Sequence, residues 1–178
     1  MQSMKGQGAA ALLILILLPL EVRSVESFRL TSTAFSESTP IPQLYTCEGQ
    51  DFSPPLAWTS PPEKTMSFAL IVEDPDAPGG TWVHWVVWNI PAHRRTLEEN
   101  QPKSAALPDS ARQGLSDFKT HGYGGPCPPS GMHRYYFRLY ALDTLLELPA
   151  ETGKTGLVRA MQGHVLGRAE LMSRFSRR

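Results

Sequence analysis

The chain has 178 residues, of which 41% are hydrophobic, so it is long enough to bury one core of ordinary size. Lys and Arg together number 17, as do Asp and Glu, which gives a formal net charge of zero. With no basic excess and no long basic stripe, the chain is not expected to bind nucleic acid, and any attraction for an anion must be local.

Residues 1–24 are predicted to be a secretion signal. A positive charge precedes an apolar run over residues 9–20, and the length of this run is typical of a signal peptide and short for a membrane span. An uncleaved signal anchor is the alternative. Cleavage after Ser24 or Ser27 would leave one mature domain, residues 25–178, in a secreted or periplasmic location.

Short segments rich in β-branched and aromatic residues, separated by Pro and Gly turns, predict a mainly β domain. The strand candidates are residues 28–32, 56–58, 67–73, 82–90 and 134–142. Side chains two residues apart in a strand share a face. We therefore expect His84 to lie on the same face as Trp82, Val86 and Trp88, while His133 stands at the entrance of the last strand.

Two further segments complete the prediction. Residues 92–121 are polar and weakly periodic, which indicates a long surface excursion, and long loops of this kind are usually functional or mobile. Near the C-terminus, apolar residues recur at near-helical spacing, and these are Leu157, Met161, Val165, Ala169 and Met172. This spacing predicts an amphipathic helix over residues 155–173 that packs on the sheet.

The first segment that carries chemistry is the Asp-Pro-Asp-Ala-Pro loop at residues 74–78. Its prolines restrict the backbone, so the carboxylates are held with little entropy left to lose. Shortly afterwards His84 stands among tryptophans and valines, where a buried imidazole needs a hydrogen-bond partner. An aspartate of the preceding loop is the expected partner, and it would set the tautomer of the ring.

The second segment, residues 122–135, couples a Gly/Pro loop to His133 and Tyr135. Glycine has no Cβ, so Gly124 and Gly125 allow a ligand to approach the backbone closely. Successive N–H groups in such a loop are able to form a concave nest for an anion. The prolines and the missing Gly-Lys-Ser/Thr ending exclude a dinucleotide or P-loop fingerprint.

Other chemistries have less support from the residues. Two histidines and a carboxylate match the ligand set of a metal site, but His84 and His133 do not form a short-spaced ligand pair. No nucleophile elbow is present, and no residue pattern identifies a bond to be cleaved. Cys47 and Cys127 are either joined by a disulfide or are two buried free thiols, and the sequence leaves both alternatives open.

These segments resemble the two signature segments of the phosphatidylethanolamine-binding protein family, which includes the Raf kinase inhibitor-like proteins. The resemblance rests on residues 74–78, on His84 and on residues 125–135. Residues 47–58, together with residues 124–129, are most similar to the prokaryotic branch of the family. Because several ordered motifs extend over essentially the whole mature chain, the resemblance is more specific than any single motif.

The resemblance implies a β-sandwich with a large central sheet, a smaller sheet and a few peripheral helices. It also implies a shallow pocket at one end of the sheet that accepts phosphate, acetate or a phospholipid headgroup. The implied ligand-binding residues are Asp74, His84, Gly125, His133 and Tyr135, and the implied pocket wall consists of Asp76, Trp82 and Pro126. A cis peptide bond within the Asp-Pro-Asp loop is implied as well.

We therefore expect a protein without enzymatic activity that binds a phosphate-bearing small molecule or a phospholipid headgroup, with peripheral contact to a membrane. The alternative is an inhibitor or regulatory module that acts on an extracytoplasmic enzyme, such as a protease or a kinase-like partner, through the pocket rim and residues 92–121. A hydrolase or metal-dependent enzyme ranks third. No cofactor and no metal ion is expected.

Overall fold

The computed structural model describes residues 27–177, so the predicted signal segment lies outside the described residues. The strands of this part are β1 (Arg29–Thr31), β2 (Leu56–Thr59), β3 (Ser67–Asp74), β4 (Trp82–Pro91), β5 (Thr96–Leu97), β6 (Arg112–Gln113), β7 (His133–Leu142) and β8 (Val165–Phe175). Helix α1 (Lys154–Ala160) precedes β8, and two 3₁₀ turns lie at Gln43–Tyr45 and Pro108–Ser110. No helix within residues 27–177 is long and apolar enough to cross a membrane.

The strands form two antiparallel sheets. The smaller sheet has the order β1-β2-β5, and the larger sheet has the order β6-β4-β3-β7-β8. Strand β3 lies at the centre of the larger sheet, and all eight of its residues are buried. A strand that is covered on both faces reads as a continuous apolar run, as the Ser-Phe-Ala-Leu-Ile-Val sequence of β3 does. The predicted mainly β sandwich with a large central sheet is confirmed.

The larger sheet is the middle layer of the molecule. Between the two sheets, Trp58 of the smaller sheet packs edge-on against Phe68 of the larger sheet, with ring centroids 5.3 Å apart. On the opposite face of the larger sheet, Leu157 and Met161 from the α1 region close a second apolar cluster around Trp88. Both faces of the central strands are thereby removed from water, which is the main source of their stability.

The predicted helix over residues 155–173 is wrong for most of its length. Helix α1 ends at Ala160, and after a turn the chain forms β8, which pairs with β7 over the whole length of that strand. Within β8, Ala169 and Leu171 are buried and alternate with exposed Arg168 and Glu170. The helix prediction used Val165, Ala169 and Met172, whereas the alternation found in β8 buries Ala169, Leu171 and Phe175. The segment thus contains apolar residues at both spacings, and pairing with β7 decided between them.

The expectation that His84 shares a face with Val86 and Trp88 is also wrong. The register between β3 and β4 shifts at His84, which is an extra residue of β4 with no partner on β3. Such a β-bulge breaks the alternation of side chains. The ring of His84 consequently lies beside Tyr135, on the face of the core between the sheets, whereas Val86 and Trp88 belong to the cluster under α1.

Cys47 and Cys127 are joined by a disulfide, and their Cα atoms are 5.4 Å apart. Of the two alternatives that the sequence leaves open, the structure has the bridge. It fastens the loop that follows the first 3₁₀ turn to the segment that leads into β7. The N–H of Cys47 also donates to the carbonyl of Pro126, at 3.1 Å, so the two loops are joined by a covalent and a hydrogen bond.

Removal of this bridge is expected to lower the free energy of unfolding by about 4 kcal/mol, because the bridge constrains a long loop of the unfolded chain. The two cysteines are 80 residues apart in sequence. Denaturant unfolding with and without a dithiol reductant measures the effect. The double variant Cys47→Ala/Cys127→Ala is the control, since a reductant should leave its midpoint unchanged. Equal midpoints for the oxidised and reduced protein would contradict the prediction.

Candidate functional site

A cavity of about 210 Å³ opens at one end of the larger sheet. Strand β3 ends there and its neighbours β4 and β7 begin there, because the three strands are antiparallel. The cavity is lined by carboxylate, imidazole, aromatic and proline side chains from these strand ends and from two loops. The lining residues are Asp74, Ala77, Pro78, Trp82, His84, Phe118, Cys127, Pro128, Pro129 and His133.

Asp74 is buried at the end of β3 and its carboxylate accepts two hydrogen bonds. Oδ2 accepts from Nδ1 of His133 at 2.7 Å, and Oδ1 accepts from the N–H of Asp76 at 2.8 Å. The second bond closes the turn that follows the strand, as aspartate commonly does. Every peptide bond of residues 27–177 is trans, so the cis bond implied for this loop is not found.

His84 is held by a backbone carbonyl and not by an aspartate, so the expected partner was wrong. Its Nδ1 donates to the carbonyl oxygen of Gly124 at 2.6 Å, while the aspartate of the preceding loop pairs with His133. The bulge turns His84 away from β3 and toward the Gly/Pro loop. Burial lowers the pKa of His84, although the Gly124 bond and the charge of Asp74 act in the opposite direction.

Two N–H groups of the Gly/Pro loop donate hydrogen bonds to acceptors of the protein itself. Gly124 N–H donates to the carbonyl of His84 at 3.0 Å, and Gly125 N–H donates to Oδ1 of Asp51 at 2.5 Å. A Cβ on Gly125 would lie 2.7 Å from both Asp51 Oδ1 and the Tyr45 carbonyl, so glycine is required for this close packing. The predicted anion nest therefore has two of its donors already engaged.

Tyr135 and Asp76 lie next to the cavity without lining it. The hydroxyl of Tyr135 is buried beside the carboxylate of Asp74. Burial, followed by the negative charge of Asp74 and a hydrogen bond to its carboxylate, raises the pKa of Tyr135 above its ordinary value, so the hydroxyl keeps its proton. Asp76 forms a forked pair with Arg134, whose hydrogen bonds lower the pKa of Asp76 to about 2.

Of the eight residues implied for ligand binding and the pocket wall, the structure brings four to one cavity, and these are Asp74, Trp82, His84 and His133. The other four, Asp76, Gly125, Pro126 and Tyr135, stand behind or beside it. The part of all eight residues in ligand binding stays a prediction. Two contributors were not foreseen, Phe118 in the cavity wall and Asp51 behind Gly125. Both come from loops whose sequence shows only polar, irregular character.

A metal site finds little support in this arrangement. Within the described part of the chain, no group of three His, Cys, Asp or Glu side chains is placed to hold a metal ion. Asp74 and His133 bond each other, and Nδ1 of His84 is engaged by Gly124. The arrangement instead resembles a pair of oriented imidazoles beside a carboxylate, which suits the binding of a charged group.

Replacement of Asp74 by alanine is expected to lower the free energy of unfolding by about 2 kcal/mol, because two donors at a buried site lose their acceptor. Asp76→Ala is the matched control. It removes an exposed ion pair with Arg134 and the hydrogen bond that the N–H of Arg134 donates to the same carboxylate at 2.9 Å. An exposed ion pair of this kind contributes about 1 kcal/mol or less. Urea unfolding of the two variants gives the comparison, and a larger loss for Asp76→Ala would contradict the assigned role of Asp74.

The comparisons with known proteins agree on one family. A family model described as phosphatidylethanolamine-binding protein matches residues 31–176. A UPF0098 protein of Methanothermobacter thermautotrophicus is 51% identical over 148 residues, which cover 83% of this chain and 98% of the relative. A UPF0098 protein of Chlamydia muridarum is 44% identical over 154 residues, which cover 83% of this chain and 97% of the relative.

Solved structures agree with these matches. The crystal structure of a phosphatidylethanolamine-binding protein homologue from Chlamydia trachomatis has a TM-score of 0.79 at 41% identity, and the match covers 85% of this chain and 99% of that chain. The structure of Escherichia coli YbcL, described as a new member of the mammalian phosphatidylethanolamine-binding protein family, has a TM-score of 0.80 at 33% identity and the same coverage of 85% and 99%.

Proposed function

The chain belongs to the phosphatidylethanolamine-binding protein family, and from this premise we propose that its cavity binds the phosphate group of a small molecule or phospholipid headgroup without chemical turnover. The observation that carries the proposal is the convergence of two buried imidazoles, His84 and His133, on one small cavity. Imidazole changes its charge near neutral pH, so this pair is suited to meet an anion.

The hydrogen bonds of the two rings define what they offer to a ligand. In both His84 and His133, Nδ1 is engaged by an oxygen of the protein, and this nitrogen therefore carries a proton. Nε2 is the nitrogen left for a ligand. In the neutral ring it is only an acceptor, and it becomes a donor to a phosphate oxygen when the ring is an imidazolium. Anion binding is thus expected to be accompanied by proton uptake.

The negative charge of Asp74 shapes the choice of ligand. A carboxylate that lines the cavity opposes a bare anion and favours a ligand that also carries a positive group. A zwitterion such as phosphoethanolamine offers both charges, with the phosphate toward the imidazoles and the ammonium toward Asp74. The buried hydroxyl of Tyr135 is a further donor beside the cavity, and a ligand oxygen within its reach would compete with the Asp74 carboxylate for it.

The size of the cavity favours a headgroup over a whole lipid. Its volume of about 210 Å³ is below the range of roughly 300–1,000 Å³ that encloses drug-sized ligands. A phosphate with a short substituent fits such a volume, and the acyl chains of a phospholipid would remain outside. Trp82 stands at the edge and is 39% exposed, so it is available for contact with a membrane surface.

We also retain the proposal that the protein works outside the cytoplasm. The predicted signal segment lies beyond the described residues, but the Cys47–Cys127 bridge supports an oxidising location. Both cysteines lie at exposed positions, where cytoplasmic reductants would reach them.

Calorimetric titration with phosphoethanolamine tests the proposal. Burial holds the pKa of His84 below its ordinary value, so the free ring is largely neutral at neutral pH. Affinity should therefore rise as the pH falls from about 8 to about 5, with net proton uptake visible as a dependence of the heat on the buffer. His84→Ala and His133→Ala should each weaken binding about tenfold, through loss of one charge-assisted hydrogen bond.

His164→Ala is the matched control for these variants. His164 also pairs with an aspartate, Asp143, at 2.8 Å, but this pair is exposed and does not line the cavity. A metal-stripped sample should bind as the untreated protein does. Binding that disappears with the metal would support the metal-dependent alternative. Absence of heat at every pH would refute the proposal and favour the inhibitor alternative, for which a protein partner would then be sought.

A further inference from the structure

Phe118, which lies between β6 and β7, stands over the ring of His84. The two ring centroids are 5.4 Å apart and the ring planes are inclined by 71°. The same phenyl ring meets Trp82 at 5.4 Å, in an edge-on contact. Phe118 is 41% exposed whereas His84 is only 3% exposed, so the phenyl ring stands between the imidazole and the solvent.

The position of the phenyl ring depends on Gly124. A Cβ on Gly124 would lie 2.5 Å from Cε2 of Phe118, so only glycine lets the ring pack against this backbone. Gly124 is also the residue whose carbonyl accepts the Nδ1 hydrogen bond of His84. One stretch of backbone therefore orients the imidazole and supports the ring that covers it.

The neighbouring residue Asp117 fixes the segment to β4. Its N–H donates to the carbonyl of Val83 at 2.9 Å, and its Oδ2 accepts from the N–H of Val83 at 2.8 Å. Val83 stands between Trp82 and His84 in the sequence of β4. The two bonds thus hold Phe118 opposite the pair of side chains that it contacts, which is the arrangement of a fixed cover.

Charged groups around His84 would by themselves favour the imidazolium. Asp74 faces it from β3, Asp117 from the segment of Phe118, and Asp51 from the loop that follows the first 3₁₀ turn. From β7, the ring of Tyr135 lies beside His84, and His133 lines the same cavity. The pKa of His84 is nevertheless lowered, because burial outweighs the three carboxylates. Phe118 contributes to this burial, because its ring packs against the imidazole on the side that faces the solvent.

We propose that Phe118 screens His84 from water and thereby sets the pH range over which the cavity binds an anion. The screening follows from the geometry, and the effect on anion binding rests on the proposed function. When the phenyl ring is removed, water reaches the imidazole and the nearby carboxylates favour its protonation. Anion binding then extends to higher pH, because a larger fraction of His84 offers an Nε2 donor.

The test follows the titration of His84 by NMR of its ring protons and carbons, with His84→Asn used to assign the signals. In Phe118→Ala the titration midpoint should rise by roughly 0.5–1 pH unit, toward the ordinary value for histidine. Phe118→Leu keeps an apolar side chain at this position, so it should raise the midpoint less than Phe118→Ala does. It replaces the alanine variant in the test if that variant folds poorly. The matched control is Val158→Ala, since Val158 of α1 is also about two-fifths exposed, at 40%, and does not line the cavity.

Titration of the same variants with phosphoethanolamine across the pH range completes the experiment. The pH profile of affinity in Phe118→Ala should move upward by the same interval as the His84 midpoint. An unchanged midpoint in both Phe118 variants would overturn the proposal. A raised midpoint with an unmoved binding profile would overturn the link to anion binding. A raised midpoint with no phosphoethanolamine binding in any variant would overturn the proposed function, while the screening of His84 would be supported.

Discussion

Asp74 is the last residue of the buried central strand, and its carboxylate is almost inaccessible to water. A carboxylate in such a place is stable only when its oxygens accept hydrogen bonds. One oxygen accepts from His133 at the start of β7, and the other accepts from the backbone of the following turn. The cavity depends on this group, because the same two bonds orient an imidazole and fix the proline-rich wall.

The opposite wall is held by contacts between two loops. The disulfide, the Cys47–Pro126 hydrogen bond and the Asp51–Gly125 hydrogen bond join the loop after the first 3₁₀ turn to the segment before β7. Because this segment is fixed, the carbonyl of Gly124 is available in one place for His84. The two imidazoles are therefore oriented by different means, one by a carboxylate and the other by a backbone carbonyl.

Sequence reasoning predicted the three inner strands of the larger sheet, β3, β4 and β7, because a buried strand needs a continuous apolar run and its boundaries are marked by Pro and Gly. It was less successful where one pattern allowed two structures. The residues of β8 fitted a helical period as well as a strand, and the register of the neighbouring strand decided the outcome. A β-bulge leaves no mark in the composition of a strand, so the face of His84 was assigned wrongly.

The sequence by itself determined the types of group at the site: two histidines and an aspartate at the ends of strands, next to loops stiffened by proline and glycine. These follow from residue identity and from local backbone preference. Only the tertiary structure decided which groups meet. Three contacts join residues from separate strands and loops: Asp74 pairs with His133, the Gly124 carbonyl holds His84, and the ring of Phe118 covers His84. Such contacts arise when distant segments pack together, and no local pattern of residues predicts which segments will meet.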